Sequence, residues 1–337
     1  MGRIACYGND TWFSYLYIDE TKTVWSEDFQ ATCYYPYKRK SLGFSKKECS
    51  PVSQLAGSFS GNGHAAILRE DGKVFGVGSN QWGQLSGGDP ASLPEISSIY
   101  GFSNIVAVAT GTTHTLAIDD SYCVWGVGRN FGQLGKTNTV GVFTPMKIQG
   151  IPPIRAVCAG SASSLFLDFE GKVWYCGVAP VGTYDHNGVF DPSFAIPHVL
   201  PFENEIVQIS MHCSKAMFWD SKDNVFLASS NGIVKLELNF TPLQILSGSC
   251  TNFVLDTEGK LWSIGSNLIP QFAFEQYLPP MVEIFYIMKG VLTCTKDGQL
   301  FEIHDQMLES TILPKELPFK LLPKFSEKQL KSARTHK

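Results

Sequence analysis

One irregular segment groups side chains of the kinds that proteins use to contact one another. Tyr184, Asp185, His186 and Asp191 lie within residues 177–192, where a glycine-rich turn found earlier in the chain is absent. Aromatic rings, carboxylates and an imidazole supply stacking, charge and hydrogen bonds, and loops on a rigid scaffold often carry such contacts. We therefore predict a partner-binding patch here. The alternative interpretation is simple divergence of a loop sequence.

A second segment, residues 34–47, interleaves cations with aromatic rings. Its five cations are Lys38, Arg39, Lys40, Lys46 and Lys47. This composition suits the binding of phosphate groups or the stacking of bases. We treat the segment as a candidate patch for an anionic partner. The alternative is a solvated loop with some packing against an outer strand.

The sequence contains no pattern of catalytic or metal-binding residues. Residues 132–137 read Gly-Gln-Leu-Gly-Lys-Thr, like the end of a phosphate-binding loop, but Asn130 stands where the leading glycine is required. No Gly-x-Ser-x-Gly motif is present, and the seven histidines form no His-x-x-x-His pair. The nine cysteines include no Cys-x-x-Cys pair, which favours reduced, packed thiols over zinc ligands. We expect no enzyme active site, no metal and no cofactor.

A repeat of about fifty residues organises the chain. Each copy has an alternating apolar strand, a tight turn such as Glu-Gly-Lys, and a return strand that opens with an apolar residue and an aromatic one. The anchoring aromatics are Trp25, Phe75, Trp125, Trp174, Phe226, Trp262 and Phe301. Seven anchors predict seven repeats.

The repeat predicts an all-β fold, a seven-bladed β-propeller with four-stranded antiparallel blades in a single domain. Small residues precede each hairpin, as in residues 106–111, and they suit an innermost strand close to the propeller axis. We expect the propeller to occupy residues 1–325. A short polar tail, residues 326–337, is expected to be disordered.

Two motifs resemble the regulator of chromosome condensation family. Residues 108–118 follow its small-small-Gly-x-x-His signature, and residues 128–135 read Gly-Arg-Asn-Phe-Gly-Gln-Leu-Gly, with a near copy at 78–85. The matching positions are His64, Gly78, Asn80, Gly83, Gly111, His114, Gly128, Asn130, Gly132 and Gly135. The resemblance implies structural roles for them, with both histidines bonding neighbouring backbone in each blade.

The resemblance also sets the functional expectation. The family contains scaffolds and regulatory domains, and its founding member is the exchange factor for the GTPase Ran, so the fold alone does not decide the function. We predict a protein-interaction propeller that acts as a scaffold or regulatory binding module. The alternative is a guanine-nucleotide exchange factor for a Ran-like or other small GTPase.

Composition narrows the range of partners. The formal net charge of −4 disfavours nucleic acid as a direct ligand. No apolar run is long enough to span a membrane, and the first residues lack the pattern of a signal peptide. We expect an intracellular monomer, cytoplasmic or nuclear, whose partner is another protein.

Overall fold

β-Strands make up nearly all of the regular structure. The computed structural model describes residues 4–8, 13–18, 21–30, 40–47, 49–58, 63–86, 93–136, 141–178, 192–229, 232–248, 251–265, 268–272, 279–287, 290–296, 300–304 and 319–322. In these residues the only helix is a short 3-10 helix at Pro192–Ala195. The strands are β1 Ile4–Gly8, β2 Phe13–Ile18, β3 Val24–Gln30, β4 Lys40–Lys47, β5 Val52–Gly57, β6 His64–Arg69, β7 Val74–Gly78, β8 Leu93–Ser98, β9 Ile105–Thr110, β10 His114–Asp119, β11 Val124–Arg129, β12 Gly141–Lys147, β13 Ile154–Ala159, β14 Ser163–Asp168, β15 Val173–Gly177, β16 His198–Val199, β17 Ile206–His212, β18 Lys215–Asp220, β19 Val225–Ser229, β20 Gly232–Lys235, β21 Pro242–Leu246, β22 Asn252–Asp256, β23 Leu261–Ile264, β24 Pro270–Phe272, β25 Met281–Ile287, β26 Gly290–Thr295, β27 Leu300–His304 and β28 Phe319–Leu322.

The described strands form seven four-stranded antiparallel sheets. Each sheet contains four strands that follow one another in sequence, so blade 1 is β1–β4, blade 2 is β5–β8, and blade 7 is β25–β28. Each of the seven aromatic anchors is the second residue of the third strand of its blade. The predicted all-β propeller with four-stranded antiparallel blades is therefore confirmed.

The innermost strands close the blades into a ring. β1 contacts β5, β5 contacts β9, and the series continues through β13, β17 and β21 to β25, which in turn contacts β1. Because every blade is built from one contiguous segment, blades 1 and 7 meet by packing side by side. No strand is exchanged between them in the described part of the chain.

The apolar core lies between neighbouring blades. The second strand of a blade is covered on both sides, and all six residues of β14 are buried. Leu165 and Tyr175 of blade 4 pack with Ile209 and Phe218 of blade 5 in one cluster. Burying such side chains contributes about 1.5–3 kcal/mol each. The ring is thus held together by its blade junctions.

Antiparallel order places the connections on two faces. We call the loop face the one that carries the links between first and second strands and between third and fourth strands of each blade. The hairpin face carries the turns between second and third strands and the links between successive blades. No helix among the described residues is long and apolar enough to cross a membrane.

Candidate interaction surface

On the hairpin face, an aspartate at the end of the second strand fixes both the turn and the aromatic anchor. Asp119 Oδ1 accepts hydrogen bonds from the backbone nitrogens of Ser121 and Cys123, at 3.0 and 2.9 Å, and Oδ2 accepts one from the Trp125 indole at 2.8 Å. The Asp168–Trp174 and Asp256–Trp262 pairs repeat this contact at 2.9 and 2.7 Å. The sequence analysis found the tryptophans but missed the aspartate six residues before each.

Blade 5 uses the same device with additional amide donors. Asp220 accepts hydrogen bonds from the backbone and the side chain of Asn224 and from the side chain of Asn204, each at 2.8 Å. Burial acts to raise the pKa of Asp220, but the hydrogen bonds from Asn224, Asn204 and the Lys222 backbone outweigh it and hold that pKa below its ordinary value. The oxygens of these carboxylates accept hydrogen bonds from their own hairpins or from the adjoining link, so these aspartates stabilise the fold.

On the loop face, an asparagine organises each Gly-Gln-Leu turn. Asn130 Oδ1 accepts hydrogen bonds from the backbone nitrogens of Gly132 and Leu134, at 3.0 and 3.1 Å, and Nδ2 donates to the Lys136 carbonyl at 2.8 Å. Asn80 forms the corresponding contacts with Leu85 at 2.8 Å and Ser86 at 3.2 Å. The polar side chains of both turns are therefore directed inward.

The strand that leads into each turn has a glycine at or next to its last residue, where a side chain would not fit. Gly128 has a φ of 115°, and a Cβ built there would lie 2.4 Å from the Thr113 carbonyl oxygen. Gly78 has a φ of 106°, and its Cβ would lie 2.7 Å from the Gly63 carbonyl oxygen. Both the backbone conformation and the close approach of the neighbouring loop require glycine.

The repeat histidines link each blade to the next one. His64 Nε2 lies 2.8 Å from Thr115 Oγ1, whose hydroxyl donates to the Gln84 carbonyl at 2.7 Å. The Thr115 proton is therefore committed to Gln84, and His64 Nε2 must be the donor to Thr115. His64 Nδ1 lies 3.1 Å from Ser58 Oγ.

His114 forms the same chain of hydrogen bonds to the next blade but lacks a partner for its Nδ1 atom. His114 Nε2 lies 3.1 Å from Ser164 Oγ, and Ser164 donates to the Gln133 carbonyl at 2.7 Å. Gly111 stands where blade 2 has Ser58, and His114 Nδ1 is buried without a hydrogen-bond partner among the described residues. Burial lowers the pKa of His114 to about 3, so the ring stays neutral.

These ring contacts differ from the expected ones. We expected both histidines to bond backbone within each blade, whereas their Nε2 atoms reach hydroxyl groups of the following blade. The difference has a physical reason, because the second strands of adjacent blades face each other across the buried junction. The histidines sit at blade junctions and lie far from the exposed surface.

The loop face carries a cluster in which one arginine contacts two aromatic rings. The Cζ atom of Arg129 lies 3.9 Å from the centroid of the Trp82 ring and 4.0 Å from that of the Phe131 ring. Phe143 packs on Gly83, beside Trp82, since a Cβ on Gly83 would lie 2.4 Å from the Phe143 ring. We call Trp82, Arg129, Phe131 and Phe143 the aromatic–arginine cluster.

The turn chemistry explains why these rings point outward. Trp82 and Phe131 precede the turn glycines Gly83 and Gly132, and the backbone nitrogen of each donates to the side chain of Gln84 or Gln133. The backbone of both residues is thereby fixed while their rings stay at the surface. The sequence analysis missed the cluster, although an aromatic residue before the turn glycine in two successive repeats was its signal.

The predicted partner patch lies outside the described residues. Tyr184, Asp185, His186 and Asp191 belong to the connection between β15 and β16, the third and fourth strands of blade 4. Such a connection belongs to the loop face, which also carries the aromatic–arginine cluster. The patch itself stays a prediction.

The candidate basic patch lies partly outside the described residues. Lys38 and Arg39 are outside them, and Lys40, Lys46 and Lys47 belong to β4. The backbone of Lys40 pairs with Gln30 at one end of the strand, whereas Lys46 and Lys47 pair with Trp25 and Val24 at the other. Six residues of extended chain separate Lys40 from Lys46 by roughly 20 Å. The patch itself stays a prediction.

The described residues offer no metal centre, and the described cysteines are free thiols. No group of three or more His, Cys, Asp or Glu side chains in the described ranges is arranged to hold a metal ion. Cys49, Cys123, Cys158, Cys176, Cys213 and Cys294 form no disulfides. Burial raises the pKa of both Cys158 and Cys176 to about 12, which keeps these two thiols protonated.

Comparison with known proteins identifies the repeat. The "Regulator of chromosome condensation (RCC1) repeat" family matches residues 71–118 and 120–167. The zebrafish (Danio rerio) "Protein RCC2 homolog" is 30% identical over 211 residues, covering 60% of this chain and 39% of that protein. The chain thus spans about two fifths of the length of this relative.

Solved structures share the fold. Human WBSCR16 superposes with a TM-score of 0.66 at 17% identity, covering 83% of both chains. Yeast RCC1 (Prp20), bound to Kap60, gives 0.65 at 15% identity over 81% of this chain and 75% of that one. A second structure of Prp20p from Saccharomyces cerevisiae, described with its binding properties to Gsp1p and histones, gives 0.60 at 16% identity over 75% and 69%.

Proposed function

We propose that this chain, a member of the regulator of chromosome condensation repeat family, is a regulatory binding module that holds another protein on the loop face of its propeller. The observation that carries the proposal is the aromatic–arginine cluster, in which Phe131 and Phe143 stay 43% and 45% exposed. Tryptophan and arginine are among the residues that dominate the binding energy of protein interfaces. Their concentration at one exposed point favours a contact site.

The rigidity of the underlying turns supports this proposal. Asn80, Asn130 and the two turn glutamines fix the backbone on which Trp82 and Phe131 stand. A surface that is already ordered loses little conformational entropy when a partner binds, so more of the contact energy appears as affinity. The cluster therefore suits a preformed docking point.

The relatives support a protein as the partner. Yeast RCC1 has been solved in a complex with Kap60, and the same protein is described with its binding to Gsp1p and histones. The match to the RCC2 homolog covers 39% of that protein. We therefore take from the relatives the class of function, regulation by protein binding, and propose it for this chain.

Guanine-nucleotide exchange on a Ran-like GTPase is the second candidate. The family resemblance and the Gsp1p binding described for yeast Prp20p favour it. Exchange requires a surface that stabilises the nucleotide-free GTPase better than the nucleotide-bound one, and it needs no covalent chemistry. A propeller that acts through a binding surface alone is compatible with this activity.

Three further expectations belong to the same proposal. We propose a single propeller domain over residues 1–325, with 326–337 as a tail, and a monomeric protein that works inside the cell. We also keep Tyr184, Asp185, His186 and Asp191 as a second contact of the partner, because their connection joins strands on the loop face.

Partner capture from a cell extract tests the proposal. The wild-type chain and the variants Phe131→Ala and Phe143→Ala are compared with Phe169→Ala, whose ring is 57% exposed on the hairpin face. We expect a protein recovered by the wild type and by Phe169→Ala but lost from both loop-face variants. Equal recovery by all four proteins would place the contact elsewhere.

Release of fluorescent GDP tests the alternative. Ran and several related GTPases are loaded with the labelled nucleotide, and release is followed with and without this protein at matched Mg²⁺. Strong acceleration on one GTPase would establish exchange. No acceleration by the folded protein would leave the binding module as the function.

A further inference from the structure

We infer that the aromatic–arginine cluster recognises a carboxylate, so that the partner presents an acidic segment of aspartate or glutamate to Arg129 between Trp82 and Phe131. This inference rests on the proposed function and adds the chemistry of the partner. Three properties of the described residues carry it: the unmet donors of Arg129, the charge of the neighbouring loop segments, and the shape of the stack.

Arg129 has donors without acceptors. Its Nε atom is buried and has no hydrogen-bond partner in the described residues. Exposed cations elsewhere in the described chain do find carboxylates, as Lys172 does with Glu170 at 2.8 Å and Lys260 with Glu258 at 2.9 Å. A buried donor without an acceptor destabilises the folded protein. An anion bound to the guanidinium would form charge-assisted hydrogen bonds that the described residues do not provide.

The described loop segments beside Arg129 carry cations only. The segments 79–86, 111–113, 129–136 and 160–162 of blades 2 to 4 contain Arg129 and Lys136 but no aspartate or glutamate. The hairpin turns of the same blades mix lysines with carboxylates such as Glu70, Asp71 and Glu170. An acidic segment is therefore attracted to these loop segments in preference to the hairpin turns.

The stack holds the guanidinium in place. The Trp82 and Phe131 ring centroids lie 3.9 and 4.0 Å from Arg129 Cζ, within the range of cation–π contacts. A planar guanidinium binds a carboxylate through two parallel N–H donors in its own plane, so this binding does not compete with contacts to its faces.

A single acidic protein segment fits this site better than a polyanion. The cluster offers one arginine, with Lys136 as the other cation of the described loop segments, and the whole chain has a formal net charge of −4. Nucleic acids gain their affinity from several phosphate contacts at once. Phe143, next to the stack, supplies an apolar surface for a side chain beside the acidic residue.

The test uses a defined pair of peptides. A fluorescein-labelled peptide of four Gly-Glu-Leu repeats is compared with its Gly-Gln-Leu counterpart by fluorescence anisotropy at low and at physiological salt. We expect the full-length protein to bind the glutamate peptide about tenfold more tightly or better, a difference of about 1.4 kcal/mol. No preference for glutamate at low salt would overturn the inference.

Variants assign the preference to the stack. Arg129→Gln should abolish it, Arg129→Lys should reduce it because an ammonium cannot bind bidentately, and Phe131→Leu should weaken binding of the glutamate peptide several-fold. Lys172→Gln on the hairpin face should change nothing. Circular dichroism and thermal melts establish that each variant is folded. A preference that survives Arg129→Gln in a folded protein would place the acidic site elsewhere.

A third probe separates carboxylate from phosphate. A peptide with phosphoserine in place of glutamate that binds more tightly, with the same dependence on Arg129, would replace the acidic segment by a phosphorylated one. If partner capture depends on Phe131 while Arg129→Gln captures normally, the binding module stands and the carboxylate inference fails.

Discussion

Blade 3 is joined to its successor differently from blades 5 and 6, and blade 2 combines both kinds of contact. In blades 2 and 3, His64 and His114 reach a hydroxyl on the second strand of the next blade. In blades 2, 5 and 6, glutamines of the innermost strand bond the backbone of the next innermost strand: Gln54 to Val108, Gln208 to Ile245 and Gln244 to Ile284.

Two positions in the repeat account for the difference. Lys215 in blade 5 and Thr251 in blade 6 stand where blades 2 and 3 have a histidine, and Ala107 in blade 3 stands where blade 2 has Gln54. The family match also ends at residue 167, at the second strand of blade 4, which receives the last histidine bond through Ser164. The histidine and the glutamine are thus separate contacts between blades, and either one or both can be present at a junction of the ring.

The largest effect is expected at a signature glycine. Gly128→Ala should lower the free energy of unfolding by about 4 kcal/mol, because the Cβ would meet the Thr113 carbonyl at 2.4 Å in a left-handed backbone with a φ of 115°. Gly150→Ala is the matched control, since its φ is 79° but nothing lies within 4 Å. It should cost only about 1 kcal/mol. Urea unfolding measures both, and equal costs would refute the role of the close contact.

The histidine contact between blades should show an asymmetry between its two copies. His64→Phe should destabilise the protein by about 3 kcal/mol, because both Ser58 and Thr115 lose a ring partner. His114→Phe should cost about 1 kcal/mol less, because only Ser164 loses one. Thermal or urea unfolding of the two variants gives the comparison. A larger loss for His114→Phe would contradict it.

The glutamine contact between innermost strands can be tested in blade 6, which lacks the repeat histidine. Gln244→Ala should cost about 2 to 3 kcal/mol, because the backbone nitrogen and carbonyl of Ile284 lose partners at 2.9 and 2.8 Å. Glu237→Ala changes an exposed residue in the link between blades 5 and 6. It is the control and should stay within about 0.5 kcal/mol of wild type. Urea midpoints decide the matter, and a neutral Gln244→Ala would show that packing alone joins these blades.

The smallest expected effect is the pH dependence of folding stability that the buried His114 contributes. Burial lowers the pKa of His114 from 6.5 to about 3, so below pH 6.5 the unfolded chain takes up a proton that the folded chain does not. Stability is therefore unaffected by this group at neutral pH and falls as the pH drops, by about 2 kcal/mol at pH 5. His212 in blade 5, with its pKa lowered to about 4 by burial and by Lys215, should act likewise. Stability measured from pH 7 to pH 5 should fall less steeply in His114→Phe than in the wild type; identical slopes would rule out this contribution.

The sequence predicted the ring well because its signals are local. Each aromatic anchor sits at the start of a third strand, and in blades 3, 4 and 6 an aspartate six residues earlier on the same hairpin fixes its indole. Such contacts lie within a few residues of chain, so their spacing is visible in the sequence. The seven repeats could therefore be counted from their aromatic anchors.

The candidate sites were harder to predict because they depend on neighbouring blades. Trp82 and Arg129 come from successive repeats and meet only when blades 2 and 3 pack together. The basic segment shows the opposite case. Its cations are close in sequence, but β4 holds Lys40 and Lys47 at opposite ends of an extended strand. Proximity along the chain predicts a hairpin directly, whereas a surface depends on where the strands and blades place its residues.

The closure of the ring has a mechanical consequence. Among the described strands, β1 and β25 meet by packing, and no blade contains strands from both ends of the chain. The other six junctions have a covalent link as well as packing, so this seam is the one place where tension between the termini is borne by side chains alone. Under load the protein should open there into an arc of intact blades, as a split ring does. The same seam allows a blade to be gained or lost without cutting a sheet.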